Sequence, residues 1–249
     1  MSKMNRHADN HKAEENLIPS NLWGNNIAIE AEFIEKNLLD IKDKIAPCKP
    51  RIIGVTKYYG ADAIVNGYNA GLRDFGESRV LDAVQKIDSL SAEIRSVSTF
   101  HLIGHLQTNK VEKAVEYFDI IHSVDSLKLA RKISETACRL NKREKILLQV
   151  NIADESQKYG FEPSGLLEVF SEMLELSSVE IIGLMCMAQY GAEELALRKT
   201  FKELRQLKEK IEVTFDLRLP ELSMGMSDDY CIAVEEGSTM IRIGRKLFK

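Results

Sequence analysis

Arg51-Ile-Ile-Gly-Val-Thr-Lys57 is a short apolar run of strand character that stops on a lysine, just before the turn residues Tyr58-Tyr59-Gly60. Runs of the same kind recur downstream. Strands are expected over Arg51–Val55, Asp74–Gly76, Thr99–Ile103, Ile120–Ser123, Ile146–Asn151, Glu180–Met185, Leu219–Met224 and Met240–Gly244. Helical periodicity fills the intervals. Leu127, Ala130, Ile133, Ala137 and Leu140 follow Asp125-Ser126 at steps of three or four, and Leu197, Phe201, Leu204, Leu207 and Ile211 repeat the pattern. Ahead of the first strand, Ile27, Ile29, Ala31, Phe33, Ile34, Leu38, Leu39 and Ile41 form a mostly helical stripe closed by Pro47 and Pro50. Alternating strand–helix units imply parallel strands joined by right-handed crossovers. About eight units at this spacing fit a single α/β domain closed as a (β/α)8 TIM-like barrel. An open doubly wound sheet is the alternative, but no G-x-G-x-x-G follows the first strand.

Size and composition agree with such a domain. The chain has 249 residues, 44% hydrophobic and 29% charged, and a chain of that length hides roughly 75% of its unfolded surface. Residues 1–20 are polar and of mixed charge, and are expected to be a disordered extension ahead of a domain spanning 21–249. The net charge of −4 offers no general attraction for nucleic acid or acidic membranes. No apolar run approaches the roughly 20 residues of a membrane span, and the N-terminus lacks a secretion signal. Cys48, Cys138, Cys186 and Cys231 are scattered, and read as reduced, mostly buried thiols. A soluble, cytoplasmic protein is the expectation.

In a barrel, chemistry collects at the carboxyl ends of the strands, and phosphates are often held by the last two loops. Lys57 stands at the first such end. Desolvation favours the neutral form of an amine, and that form adds to an aldehyde to give a Schiff base. A lysine whose stem lies on apolar surface with its head in water is the plainer reading. The seventh strand runs into Ser223-Met-Gly-Met-Ser227, whose small residues let backbone amides approach an anion. Ser227 is placed to cap a helix starting near Tyr230. The eighth strand closes on Arg242-Ile-Gly-Arg245. The first loop could equally be a turn with capping serines, and Arg242 could pair with an acidic neighbour. Together, two anion-friendly loops opposite a strand-end lysine suggest a ligand with both a phosphate and an aldehyde. His101 and His105 are four apart, but on a strand that spacing is about 13 Å, too far to share a metal ion. The polar loop carrying His105, Gln107 and Asn109 suits contact with a ligand or partner instead.

Several longer motifs carry a resemblance. They are Lys57, Phe75-Gly-Glu-Ser-Arg79, His101-Leu-Ile-Gly-His-Leu-Gln-Thr-Asn-Lys110, Ile121-His-Ser-Val-Asp125, Leu222-Ser-Met-Gly-Met-Ser-Asp-Asp229 and Glu235-Glu-Gly-Ser-Thr-Met-Ile-Arg-Ile-Gly244. Spread from about Asn21 to the C-terminus, they resemble the pyridoxal-phosphate homeostasis proteins, which in turn resemble the N-terminal barrel of alanine racemase. The resemblance implies that Lys57 carries pyridoxal 5′-phosphate as a Schiff base. It implies that Ser227, Gly244 and the backbone of Arg245 hold the phosphate, that Ser223 and Met224 line the pocket, and that Arg242 faces the pyridine nitrogen. The family usually has asparagine where Ser78 stands, so a contact to the cofactor there would be shorter or water-mediated. Arg245 occupies a position often held by a small hydroxyl residue.

The role implied is to hold or deliver the cofactor, with no catalytic residues assigned and PLP-dependent apo-enzymes as recipients. A low-activity racemase is the alternative, and a barrel for another phosphorylated metabolite with a merely structural Lys57 is a third reading. The racemase route uses a second base from a C-terminal β domain of the partner subunit, and this sequence ends at Lys249 soon after the eighth strand. A carrier that is monomeric is therefore expected. Tyr58, Tyr59 and His105 are the candidates for a second base within the barrel.

Overall fold

A computed structural model describes residues 30–152 and 159–249. The expected extension over residues 1–20, and Ile27 and Ile29 of the first apolar stripe, lie outside them. Eight parallel strands close in sequence order into a barrel: β1 (Arg51–Val55), β2 (Asp74–Glu77), β3 (Thr99–Leu102), β4 (Ile120–Val124), β5 (Glu144–Gln149), β6 (Val179–Met185), β7 (Glu221–Ser223) and β8 (Met240–Ile243). Each expected strand is present, with ends displaced by no more than two residues. Closure is made by β1 against β8, with Arg51 opposite Met240 and Ile53 opposite Arg242.

The helices are α1 (Ala31–Ile45), α2 (Ala61–Asn69), α3 (Val80–Ser89), α4 (Ala92–Val97), α5 (Val111–Tyr117), α6 (Leu127–Arg139), α7 (Pro163–Leu174), α8 (Glu194–Phe215), α9 (Tyr230–Glu235) and α10 (Arg245–Phe248). Their apolar stripes face the sheet. Leu197, Phe201, Leu204, Leu207 and Ile211 of α8 are all buried, as their spacing predicts. α6 starts at Ser126, whose side chain accepts a hydrogen bond from the Leu129 amide at 3.2 Å. In α1 the buried face is narrower than the sequence suggests. Ile34, Leu38, Ile41 and Ile45 are buried while Phe33 and Leu39 are exposed, because a helix lying on one side of a barrel covers a single stripe.

The core divides in two. Most buried side chains fill the space between sheet and helices, while Ile53, Ile120, Leu147, Ile182, Met185 and Met240 form a separate cluster. The cysteines correct an expectation: Cys186 is buried, but Cys48 and Cys138 are exposed, because both lie beside helix ends. No helix among the described residues is long and apolar enough to cross a membrane.

Candidate functional site

The carboxyl ends of six strands surround one cavity of about 740 Å³, within the usual range for small-ligand sites. Lys57 and the adjacent Tyr58 and Tyr59 enter it after β1, Ser78 after β2 and Ile103 after β3. The segment from Met187 to Ala192 forms another wall after β6. Met226 to Asp229 follow β7, and Arg242, Gly244 and Arg245 close the ring from β8.

Lys57 sits two residues beyond β1 rather than within it, and is half-buried. Its position depends on a buried polar knot just behind it. The Lys86 ammonium donates to Glu77 Oε1 at 2.8 Å and to the Thr56 carbonyl at 2.9 Å. The Thr56 hydroxyl donates to the same Glu77 oxygen at 2.7 Å. Both charged side chains are 1% exposed. The peptide group leading into Lys57 is thereby fixed from α3 and β2. Burial raises the Glu77 carboxyl above its ordinary range, while the Lys86 ammonium pulls it back.

The loop after β7 turns on Gly225, whose φ of +93° favours glycine; a Cβ there would lie 2.6 Å from the Ala233 Cβ. This fold-back brings Ser227 to the cavity wall. Ser227 does not cap α9, contrary to the expectation from its position. The N-cap is Asp229, whose carboxylate turns back to accept from the Met226 amide at 2.5 Å. The Ser227 hydroxyl instead accepts from the Lys246 amide at 3.5 Å, tying the β7 loop to the start of α10. Arg245 meets Asp228 at 2.5 Å across the same gap.

Arg242 is the buried cation of the site, 4% exposed. Its partners are neutral: Ser223 Oγ at 2.6 Å and the Cys186 carbonyl at 2.8 Å. The alternative of an acidic neighbour as its direct partner is not what the structure shows. Burial lowers its pKa from the ordinary value, with Cys186 and Asp229 opposing. Asp229 is itself pushed up by burial.

Six of the eight residues singled out from the sequence, Lys57, Ser78, Ser227, Arg242, Gly244 and Arg245, therefore meet at one cavity. Ser223 and Met224 are fully buried behind that wall, Ser223 as a support for Arg242. Tyr58 and Tyr59 line the cavity, whereas His105 points elsewhere, stacked on Tyr159 at 3.8 Å and 3.3 Å from Asp125. Sequence reasoning missed the wall after β6, which no motif marks. It also missed the role of His122 and His101, buried behind Ser223, although both sit inside the quoted motifs.

The arrangement fits pyridoxal 5′-phosphate. An amine faces small-residue loops with two cations among them, and the guanidinium at the β8 wall is hydrogen-bonded to neutral groups, so no direct carboxylate partner cancels its charge.

The sequence matches the family model described as "Alanine racemase, N-terminal domain" over residues 29–249. The pyridoxal phosphate homeostasis protein of Synechocystis is 40% identical over 202 residues, covering 81% of this chain and 92% of that one. The protein of the same name from Aquifex aeolicus is 37% identical over 198 residues, covering 80% and 86%. Among solved structures, PipY of Synechococcus elongatus with PLP bound superposes with a TM-score of 0.79 at 38% identity, over 87% of this chain and all of PipY. An alanine racemase of Clostridium difficile, 15% identical with a TM-score of 0.74 over 88% of this chain and 57% of that one, shares the fold. A strand-end lysine, two anion-friendly loops and this extent of likeness lead to one conclusion: the chain belongs to the pyridoxal phosphate homeostasis protein family, built on the alanine racemase N-terminal barrel.

Proposed function

We propose that residues 21–249 form one domain that binds pyridoxal 5′-phosphate and serves vitamin B6 homeostasis in the cytoplasm, as a monomer that holds the cofactor for PLP-dependent apo-enzymes. The observation that carries this reading is the convergence of Lys57, Ser227, Gly244 and Arg242 on one cavity. When bound, the cofactor supplies an aldehyde for amines and an aromatic ring able to take up electron density. The Lys57 amine would hold the cofactor reversibly through that aldehyde. Ser227, Gly244 and the backbone of Arg245 bind the phosphate, and Ser78 contacts the ring side. Ser223 and Met224 hold the wall from behind. Arg242 would lie toward the ring nitrogen, where a guanidinium would oppose its protonation and make the ring a weak electron sink. A site of that kind retains its ligand without promoting carbanion chemistry.

Borohydride reduction of the protein mixed with pyridoxal 5′-phosphate, followed by peptide mapping, tests the reading. The pyridoxyl group is expected on the Lys57 peptide and absent from Lys57→Ala; a label elsewhere, or none, refutes it. Tyr58 and Tyr59 at the cavity wall favour a second reading, a low-activity amino-acid racemase. Rapid deuterium exchange at the α-carbon of an amino acid, lost in Lys57→Ala, would establish that reading over the first.

A further inference from the structure

Behind Arg242, a chain of four hydrogen bonds runs through the barrel interior, three of them buried and the last part-buried. The Arg242 guanidinium meets Ser223 Oγ at 2.6 Å, and Ser223 Oγ meets His122 Nδ1 at 2.9 Å. His122 Nε2 meets His101 Nδ1 at 2.9 Å, and His101 Nε2 meets Asp74 Oδ1 at 3.0 Å. β4 and β7, which carry His122 and Ser223, are not neighbours in the sheet, so that link spans the lumen. The far end is at the first residue of β2, where Asp74 also faces Arg51 at 3.6 Å. A barrel interior is ordinarily filled by branched apolar side chains, and a buried polar chain persists only when each member is satisfied.

With both histidines neutral, chemistry fixes the direction of every proton. A guanidinium can only donate, so Ser223 Oγ accepts from Arg242. If the Ser223 proton goes to His122 Nδ1, that nitrogen is bare and the His122 proton is on Nε2. It then points at His101 Nδ1, which is bare in turn, and the His101 Nε2 proton meets the Asp74 carboxylate. The reverse order would leave a bare His101 nitrogen facing a carboxylate oxygen, acceptor against acceptor. Protonating either imidazole would turn the Ser223 proton out of the chain, its oxygen then accepting from both Arg242 and His122. Burial holds both histidines below their ordinary range, and repulsion from His101, Arg242 and Arg51 adds to the effect at His122.

We propose that Ser223, His122 and His101 are positioning residues for Arg242, forming a one-way hydrogen-bond chain of two neutral Nε2–H histidines that runs from its guanidinium to the Asp74 carboxylate. A cation at one end and an anion at the other polarise each bond in the same sense, so the chain acts as a single strut. It fixes the guanidinium plane at the cavity wall before any ligand arrives. Its bearing on the cofactor rests on the reading of Arg242 given above, whereas the chain itself does not.

Nitrogen-15 NMR of the ligand-free, histidine- and arginine-labelled protein tests the chain directly. Both His101 and His122 are expected as Nε2–H tautomers, with slowly rotating, resolved Nη signals from Arg242. Ser223→Ala, which removes one oxygen, is expected to average the Arg242 Nη signals and to weaken pyridoxal 5′-phosphate binding about tenfold, as expected for an unsatisfied buried charged donor. Ser223→Thr, which keeps the hydroxyl, is expected to restore both. A proton on Nδ1 of either histidine overturns the proposal. So do resolved Arg242 Nη signals in a folded Ser223→Ala, or a ligand affinity unchanged there. Absence of pyridoxal 5′-phosphate binding in the wild type would overturn the proposed function and leave the tautomer and rotation measurements to judge the strut.

Discussion

Replacing Lys86 by methionine keeps the unbranched stem, one atom shorter, and removes the charge. The variant loses the 2.8 Å bond to Glu77 and the 2.9 Å bond to the Thr56 carbonyl. Bonds from a charged donor are each worth about 1.5–3 kcal/mol, and removing one partner of a buried ion pair costs about 3–5 kcal/mol. The two routes agree on a loss of about 3–5 kcal/mol. In a chain of this size that lowers the melting temperature by about 6–20 °C. The loss also depends on pH. Burial already raises the Glu77 carboxyl, and without the ammonium it rises further. A raised carboxyl contributes stability that is complete at low pH, where folded and unfolded forms are both protonated, and lost as pH rises. The deficit of Lys86→Met against the wild type should therefore widen between pH 5 and pH 8. Urea titrations at the two pH values measure it, and Glu77→Gln combined with Lys86→Met should recover part of the loss. A deficit under about 1 kcal/mol at pH 8, or one that does not shrink at pH 5, refutes the assignment of this pair as an anchor.

Two further outcomes follow from single residues. Glu144, 1% exposed with one carboxylate oxygen lacking a hydrogen-bond partner, has its pKa pushed up to about 8 by burial, with Lys142 opposing. Stability should fall as pH rises from the ordinary carboxylate range through about 8, with a slope of at most about 1.4 kcal/mol per pH unit; Glu144→Gln should flatten that decline in thermal melts across pH. Gly225→Ala places a Cβ in a backbone conformation of φ +93° and 2.6 Å from Ala233. It should cost about 1–3 kcal/mol in denaturant titrations and weaken pyridoxal 5′-phosphate binding in fluorescence titrations, since the turn delivers Ser227.

What the sequence reveals here is what local pattern encodes. Strands such as Ile120–Ser123 and helices such as α8 announce themselves by period, and eight units close in only a few ways. Lys57, Ser227 and Arg242 were legible because a barrel gathers strand ends, wherever they fall in the chain. Features that depend on the opposite side of the barrel were not. His122 in Ile121-His-Ser-Val124 sits within an apolar run, and its partner Ser223 is 101 residues away. Ser227 looked like a helix cap because capping is a local rule, yet a backbone amide at the start of α10 engages its hydroxyl instead. The wall after β6 carries no special residue types; its place at the cavity comes from the strand that precedes it.

β7 is three residues long and shares a single register pair with β8, Ser223 opposite Met240. Beside it the Ser238 hydroxyl sits among the carbonyls of Met224, Met240 and Leu222, at 2.7, 3.0 and 3.3 Å, and can donate to only one at a time. The two loops proposed to hold the phosphate thus follow the seam with the fewest register pairs, bridged further by the Met224 amide to the Met240 carbonyl at 3.2 Å and the Arg242 amide to the Gly225 carbonyl at 3.0 Å. Lys57 follows a strand with three register pairs to β2 and four to β8. In the proposed reading, the phosphate end of the ligand rests on the shorter seam and the amine end beside the longer ones.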